Sequence, residues 1–224
     1  MSLSKRLNEV VNMVNNCDTA CDVGCDHGFV SISLVKNKVV KRALAVDINK
    51  GPLEAAESNI SQAGLSSDIT TRLSDGLHNV TVEDKVDAII IAGMGGQLIT
   101  KILEEGKEVV KGASQLVLGP QSEVFLVRKW LRLNGYTVMK ESFVKDMGKF
   151  YFIIDARPAL TVSEDEFFDE YSKYLIDTND ALYREYLLKG IETNNGYMKG
   201  MSPQKRSTLE EKNHSMKKAL SMME

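Results

Sequence analysis

The sequence predicts an α/β protein: a mostly parallel, doubly wound sheet closed by a β-hairpin, followed by a C-terminal helical hairpin. Three observations carry this. Over residues 1–158, short apolar runs alternate with helix-like stretches, as in a sheet covered by helices on both faces. Two strand-like segments, 136–144 and 150–156, are joined by Lys145-Asp146-Met147-Gly148-Lys149, too short for a crossover helix, so they pair as a hairpin. Beyond Pro158 the pattern becomes helical. The expected division is therefore into residues 1–158 and 159–224.

The elements follow in order. Residues 3–15 form an amphipathic helix with Leu3, Leu7, Val10, Val11 and Val14 on one face. Apolar runs at 19–23, 42–48, 69–74, 86–92 and 116–118 end at polar residues or glycines and read as strands buried on both faces. Helices fit 29–36, 51–63, 96–105 and 122–133, with Gly64 and Gly135 at expected C-cap positions. In the tail, Phe168, Tyr171, Leu175, Leu182 and Tyr186 mark one amphipathic stretch. After a break at Asn194-Asn195-Gly196 and Ser202-Pro203, Leu209, Asn213, Met216, Leu220 and Met223 mark a second. The pair reads as an antiparallel, coiled-coil-like hairpin whose register Asn213 fixes.

Composition narrows the function. The chain has 224 residues, 43% hydrophobic and 26% charged, which fits a soluble globular protein. Apolar runs such as Ala88–Ala92 fall far short of the ~20 residues of a membrane helix. The N-terminal residues Lys5, Arg6 and Glu9 leave no room for a signal-peptide apolar region, so a cytoplasmic location is expected. Cys17, Cys21 and Cys25 are an odd number at a spacing unlike zinc sites, and read as buried thiols; no metal is expected. The net charge of −3 sets up no global basic field, although acid is concentrated in 161–180, where seven acids face one lysine, Lys173.

Chemistry concentrates where strands end. Asp22, Gly24, Cys25, Asp26, His27 and Gly28 form the turn after the first strand, where backbone N–H groups and a helix N-terminus meet the crevice of an open sheet. The dinucleotide pattern G-x-G-x-x-G fails, because Asp26 stands at the second glycine and Phe29 near the third. An acidic turn suits a cationic ligand, which disfavours a diphosphate-binding NAD(P) oxidoreductase and favours S-adenosylmethionine. Asp47, followed by Ile48 and Asn49, ends the second strand and is placed to accept ribose hydroxyls. Asp75, Gly76 and Leu77 follow the third strand and can frame an adenine ring. Gly93, Met94, Gly95 and Gly96 follow the fourth; without a side-chain amide, the backbone there must position the reacting group. Gly119-Pro120-Gln121 forms a further part of the rim, and Tyr151 is a candidate for stacking on a base.

A parallel sheet closed by a hairpin is the class I, Rossmann-like methyltransferase arrangement. The chain resembles the bacterial tRNA (adenine(22)-N(1))-methyltransferases. The resemblance rests on Asp22-Val23-Gly24-Cys25-Asp26-His27-Gly28, on the stretch from Asp47 to Leu53, on Asp75-Gly76, and on Gly93-Met94-Gly95-Gly96. Arg128-Lys129-Trp130-Leu131 and Lys149-Phe150-Tyr151 add to it. Members often carry Pro-Asn where this chain has Pro120-Gln121.

The resemblance implies methyl transfer from S-adenosylmethionine to N1 of adenine 22 in the tRNA D-arm. It points to Asp26, His27, Gly93, Met94 and Gly95 beside the reacting base. A tRNA partner implies cationic surface, expected from Lys36, Lys38, Lys41 and Arg42, from Arg128, Lys129 and Arg132, and from Lys205, Arg206, Lys212, Lys217 and Lys218. A monomer is favoured. The alternatives are a methyltransferase of a small molecule or protein, and a non-catalytic binding module.

Overall fold

The structure is a computed structural model that describes residues 3–161, 165–199 and 201–223, without the side chains of 203–205. Seven strands form one sheet: β1 (Cys17–Val23), β2 (Val40–Asp47), β3 (Ile69–Leu73), β4 (Ala88–Ala92), β5 (Gln115–Gly119), β6 (Tyr136–Asp146) and β7 (Lys149–Pro158). Their order is β3-β2-β1-β4-β5-β7-β6. Strands β1 to β5 are parallel, while β7 is antiparallel to both β5 and β6. The chain reverses direction across the sheet between β1 and β4, which opens a crevice at their C-terminal ends.

Alternation along each strand builds the two faces. Cys21, Val23, Leu44, Val46, Ile89, Ile91, Leu116 and Leu118 pack on one side beneath α4 (Gly96–Glu105), α5 (Lys107–Gly112) and α6 (Val124–Leu133). Ala20, Ala43, Ala45, Ala88, Ile90 and Val117 pack on the other beneath α1 (Lys5–Met13), α2 (Phe29–Lys36) and α3 (Lys50–Gln62). Ile89, Ile90 and Ile91 are wholly buried, one after another. That is why the strands read as continuous apolar runs; each such side chain contributes about 1.5–3 kcal/mol.

Two features position the site. The β6–β7 hairpin runs beyond β5, its turn lying past the C-terminal ends of the parallel strands. Helix α1 packs on β5, β6 and β7 and is held at both ends. At its start Asp146 accepts the Arg6 N–H at 3.0 Å. At its end Gln115 donates to Met13 O at 2.8 Å, and its amide oxygen accepts the Asn15 N–H. Asp155 in turn accepts from Gln115 at 2.8 Å.

The chain divides into two compact units, Met1–Glu170 and Tyr171–Glu224. The division falls later than Pro158, because α7 (Phe167–Glu170) is fastened to α6: Arg132 pairs with Asp169 at 2.7 Å, and Arg128 donates to the Asp169 and Glu170 carbonyls.

In the second unit, α8 (Lys173–Asp177) precedes the antiparallel pair α9 (Ala181–Met198) and α10 (Pro203–Ser221). The expected break at Asn194-Asn195-Gly196 is absent; α9 runs through it. Asn213 is buried at 5% exposure and bonds Asn194 and Asn195, each at 2.9 Å, so these amides are used across the helix pair. The buried face of α9 carries Tyr183 and Leu187 in place of Leu182 and Tyr186. Gly190 lets Met216 approach closely: a Cβ there would lie 3.1 Å from its methyl.

Candidate active site

The crevice is built from four strand ends. After β1 the chain makes a tight turn in which Gly24, Asp26 and Gly28 all have left-handed backbone, with φ of 72°, 51° and 72°. Gly24 N and Cys25 N both donate to Val46 O, at 2.8 and 3.0 Å, so the turn is pinned to β2. At Gly24 the left-handed φ disfavours a side chain, and a Cβ would also have to push aside the methyl end of Met94, which packs over this position. Asp22 lies buried beneath this turn, accepting from Ser31 Oγ at 2.8 Å. Burial, the dominant effect, pushes its carboxyl up to about 6.

Asp47, at the end of β2, is buried and takes two backbone N–H groups: Asn49 at 2.9 Å and Asp26 at 3.3 Å, one on each oxygen. Each oxygen keeps a lone pair for a hydroxyl. Ile48 beside it is 57% exposed and Asn49 is exposed. Asp75 is exposed at the end of β3, where Ser74 Oγ bonds Gly76 O and Asn79 N to hold the loop.

The loop after β4 is zipped to the loop after β5. Gly93 N donates to Gly119 O, Gln121 N to Met94 O, and Gly96 N to Ser122 O, all at 2.9–3.0 Å. Gly93 has φ 91°. A Cβ on Gly96 would sit 2.2 Å from Glu123 O, so that glycine serves loop-to-loop packing rather than ligand approach.

The sequence-derived candidates thus separate into groups. Asp22, Gly24, Asp26, His27, Gly28, Asp47, Ile48, Asn49, Asp75, Gly76, Gly93, Met94 and Gly95 all lie at the C-terminal ends of the parallel strands. Asp26 and His27 are exposed there, with His27 Nε2 3.5 Å from the Asp26 carboxylate and its ring stacked on Phe29. Two candidates are turned inward. Cys25 is buried among α1, α2 and α3 with its N–H committed to Val46, and Leu77 is buried against Gly106. Both shape the loops and offer a ligand no side chain. Tyr151 has one ring face covered by the Arg6 guanidinium at 5.4 Å, which leaves only the other face for the expected stacking on a base. Sequence reasoning missed Arg6 altogether. Burial disfavours the thiolate at all three cysteines, pushing Cys17 up to about 11 and Cys21 and Cys25 higher still.

Comparison with known proteins agrees with this geometry. Residues 3–154 match the family model described as "Methyltransferase domain". The tRNA (adenine(22)-N(1))-methyltransferase of Bacillus subtilis (strain 168) is 36% identical over 156 residues, 70% of this chain and 65% of that protein. Streptococcus pneumoniae Sp1610 in complex with S-adenosyl-L-methionine superposes with a TM-score of 0.88 at 30% identity, over 98% of this chain and 100% of that one. The chain belongs to the tRNA (adenine(22)-N(1))-methyltransferase family. M. capricolum TrmK, solved with the cofactor product S-adenosyl-homocysteine, superposes at TM-score 0.90 and 28% identity, over 100% of both chains. The aligned stretch spans somewhat less than two thirds of the Bacillus relative.

In this methyltransferase-family chain the expected cationic surface is redrawn. Lys36, Lys38, Lys41 and Arg42 are exposed, but they flank the start of β2, a full strand length from Asp47, and Lys41 pairs with Asp18 at 2.7 Å. Arg128 is buried at 5% exposure, pairs with Glu141 at 2.6 Å and lies over the Phe152 ring, so it faces the interior. Arg132 is taken by Asp169, which leaves Lys129 as the exposed member of that cluster. On α10, Arg206 donates to Met201 O, while Lys212, Lys217 and Lys218 are exposed; the Lys205 side chain lies outside the described residues.

Proposed function

We propose that this protein transfers the methyl group of S-adenosylmethionine to N1 of adenine 22 in the D-arm of tRNA. The observation that carries the reading is the chemistry of the strand ends: Asp22, Asp26, Asp47 and Asp75 gather at the β1/β4 crevice, which repels a diphosphate and suits a sulfonium and an ammonium group. The residues fit the cofactor. Asp47 retains acceptor capacity for ribose hydroxyls, and Asp75 offers an exposed carboxylate just past Leu73, the exposed last residue of β3.

When bound, the cofactor supplies an electrophilic methyl group. The chain's task is placement. Neutral adenine N1 already has its lone pair, so no base is needed before attack, and in-line positioning supplies several kcal/mol. Because N1 lies on the pairing edge, the base must leave its stack and enter the mouth. Gly93, Met94 and Gly95 form the rim beside it, and the Asp26–His27 pair faces it from β1. On this reading the unit Met1–Glu170 is the cofactor domain and Tyr171–Glu224 the helical appendage, in a cytoplasmic monomer. No described helix is long and apolar enough to cross a membrane.

The deciding experiment incubates the protein with labelled S-adenosylmethionine and an unmodified tRNA transcript, then maps the product. Label at N1 of adenine 22 is the expected result. No label on tRNA, with label on protein or metabolites in a parallel incubation with cell extract, favours the other methyltransferase readings, and no calorimetric signal with S-adenosylmethionine would leave only a binding module.

A further inference from the structure

Arg6 belongs to the first turn of α1, yet it ends at the crevice. Its Nη1 and the Gln121 amide nitrogen come within 3.4 and 3.5 Å of the point a Cβ on Gly93 would occupy. Arg6 Nη1 is buried and has no hydrogen-bond partner among the described residues. Leaving a buried guanidinium N–H unsatisfied is costly, and such groups call for a functional reason. The side chain is not loosely held. Tyr151 supports its plane, Asp146 fixes the start of α1, and Gln115 fixes the end. A donor without an acceptor therefore lies beside Gly93, the residue that follows β4.

The chemistry of the reaction selects that acceptor. Donation to adenine N1 would occupy the reacting lone pair. A cation against the base would oppose the positive charge the ring gains on methylation. A phosphodiester oxygen suffers neither objection and is the preferred partner of a guanidinium edge. The surroundings agree: Lys5, Lys145 and Lys149 are exposed at the same corner. The neighbouring acid, Asp146, already accepts the Arg6 N–H; that bond first, then the Ser4 hydroxyl and the charges of Arg6 and Lys5, hold its carboxyl below the usual range.

We propose that Arg6 is a substrate-positioning residue that grips a phosphate flanking the nucleotide whose base enters the mouth, with Lys5, Lys145 and Lys149 forming an outer rail along the RNA. This rests on the RNA-methylating reading above. The test measures binding of the full-length protein to an unmodified tRNA transcript as a function of salt, beside affinity for S-adenosyl-homocysteine and the melting temperature. Arg6→Gln should weaken tRNA binding about tenfold and reduce the slope of log K against log salt by about 1, with Arg6→Lys recovering most of the loss. Affinity for S-adenosyl-homocysteine and the melting temperature should not change. In the wild-type protein, a neutral methylphosphonate at one of the two flanking phosphates should cost as much as Arg6→Gln, and should cost nothing further in that variant. An unaltered salt slope in Arg6→Gln overturns the proposal, as does a loss shared with cofactor affinity or melting temperature, which marks a bracing role. Methylation of a different nucleotide by the wild-type protein would remove the adenine-22 reading while the salt comparison still decides Arg6. Absence of tRNA binding removes both.

Discussion

The Asp47 carboxylate accepts the Asp26 N–H at 3.3 Å, so the group expected to receive ribose hydroxyls also ties the end of β2 to the turn after β1. Its other oxygen takes the Asn49 N–H at 2.9 Å. Asp47→Asn puts an amide N–H against one of these donors. The expected result is a loss of about 1–3 kcal/mol in stability, because a buried N–H is left unsatisfied. Affinity for S-adenosyl-homocysteine should fall at least about tenfold, since one ribose acceptor is lost as well. Thermal melts and calorimetry measure the two effects; unchanged affinity would remove Asp47 from the cofactor site.

Gly96 and Glu123 set the distance between the rim loops. A Cβ at Gly96 would meet the Glu123 carbonyl at 2.2 Å, and that carbonyl is backbone. Gly96→Ala must push the two loops apart and is expected to cost about 1–3 kcal/mol, the range for overpacking. Gly51, in the first turn of α3, meets nothing within 4 Å. Gly51→Ala should therefore stabilise by about 0.4–1 kcal/mol. Urea unfolding of the two variants gives opposite signs if the geometry is right.

Glu141 pairs with Arg128 where both side chains are nearly inaccessible, at 1% and 5%. Glu141→Ala removes the carboxylate from a buried guanidinium and is expected to cost about 3–5 kcal/mol. Lys129→Ala, one position along α6 and exposed, should stay within about 0.5 kcal/mol. If the two variants melt alike, Arg128 is not the interior residue described.

These contrasts show what a sequence can and cannot carry. The strands were legible because Ile89 to Ile91 and their neighbours are buried on both faces, so apolar runs coincide with β4 and β5 almost residue for residue. The acidic strand ends were legible because each lies immediately after such a run. The charged residues of α6 were not. Arg128, Lys129 and Arg132 look alike in one dimension, and only the pairing of Glu141 and Asp169 against α6 separates an interior arginine from an exposed lysine. The face of α9 was ambiguous because Leu182, Tyr183, Tyr186 and Leu187 supply two overlapping apolar stripes, of which Tyr183 and Leu187 are buried. The Gly93-Met94-Gly95-Gly96 stretch read as backbone that positions the reacting group, whereas Gly96 makes room for the neighbouring loop. Arg6 carried no local signal; it reaches the crevice only because α1 lies across β5 and β7.

Asp22 gives the site a pH dependence of known sign. Its carboxyl is buried, and that burial pushes its pKa up to about 6 against the opposing hydrogen bond from Ser31; the negative charge of Asp47 adds to the rise. The folded chain therefore holds this proton to higher pH than the unfolded chain, whose aspartates titrate near about 4. Through this group, stability falls as pH rises from about 4 to about 6 and stays lowered above that, by at most about 3 kcal/mol. Asp22→Asn carries no charge to bury and keeps an oxygen for Ser31. It should match the wild type near pH 4 and melt higher at pH 7 to 8. A bound cation reverses the preference, because a nearby positive charge favours the ionised carboxylate. Binding of S-adenosylmethionine near pH 6 should then release a proton, seen as a buffer-dependent calorimetric enthalpy, and Asp22→Asn should abolish that release while weakening affinity. If the variant follows the wild-type melting curve across the whole range, the buried carboxylate is not the source of the pH dependence.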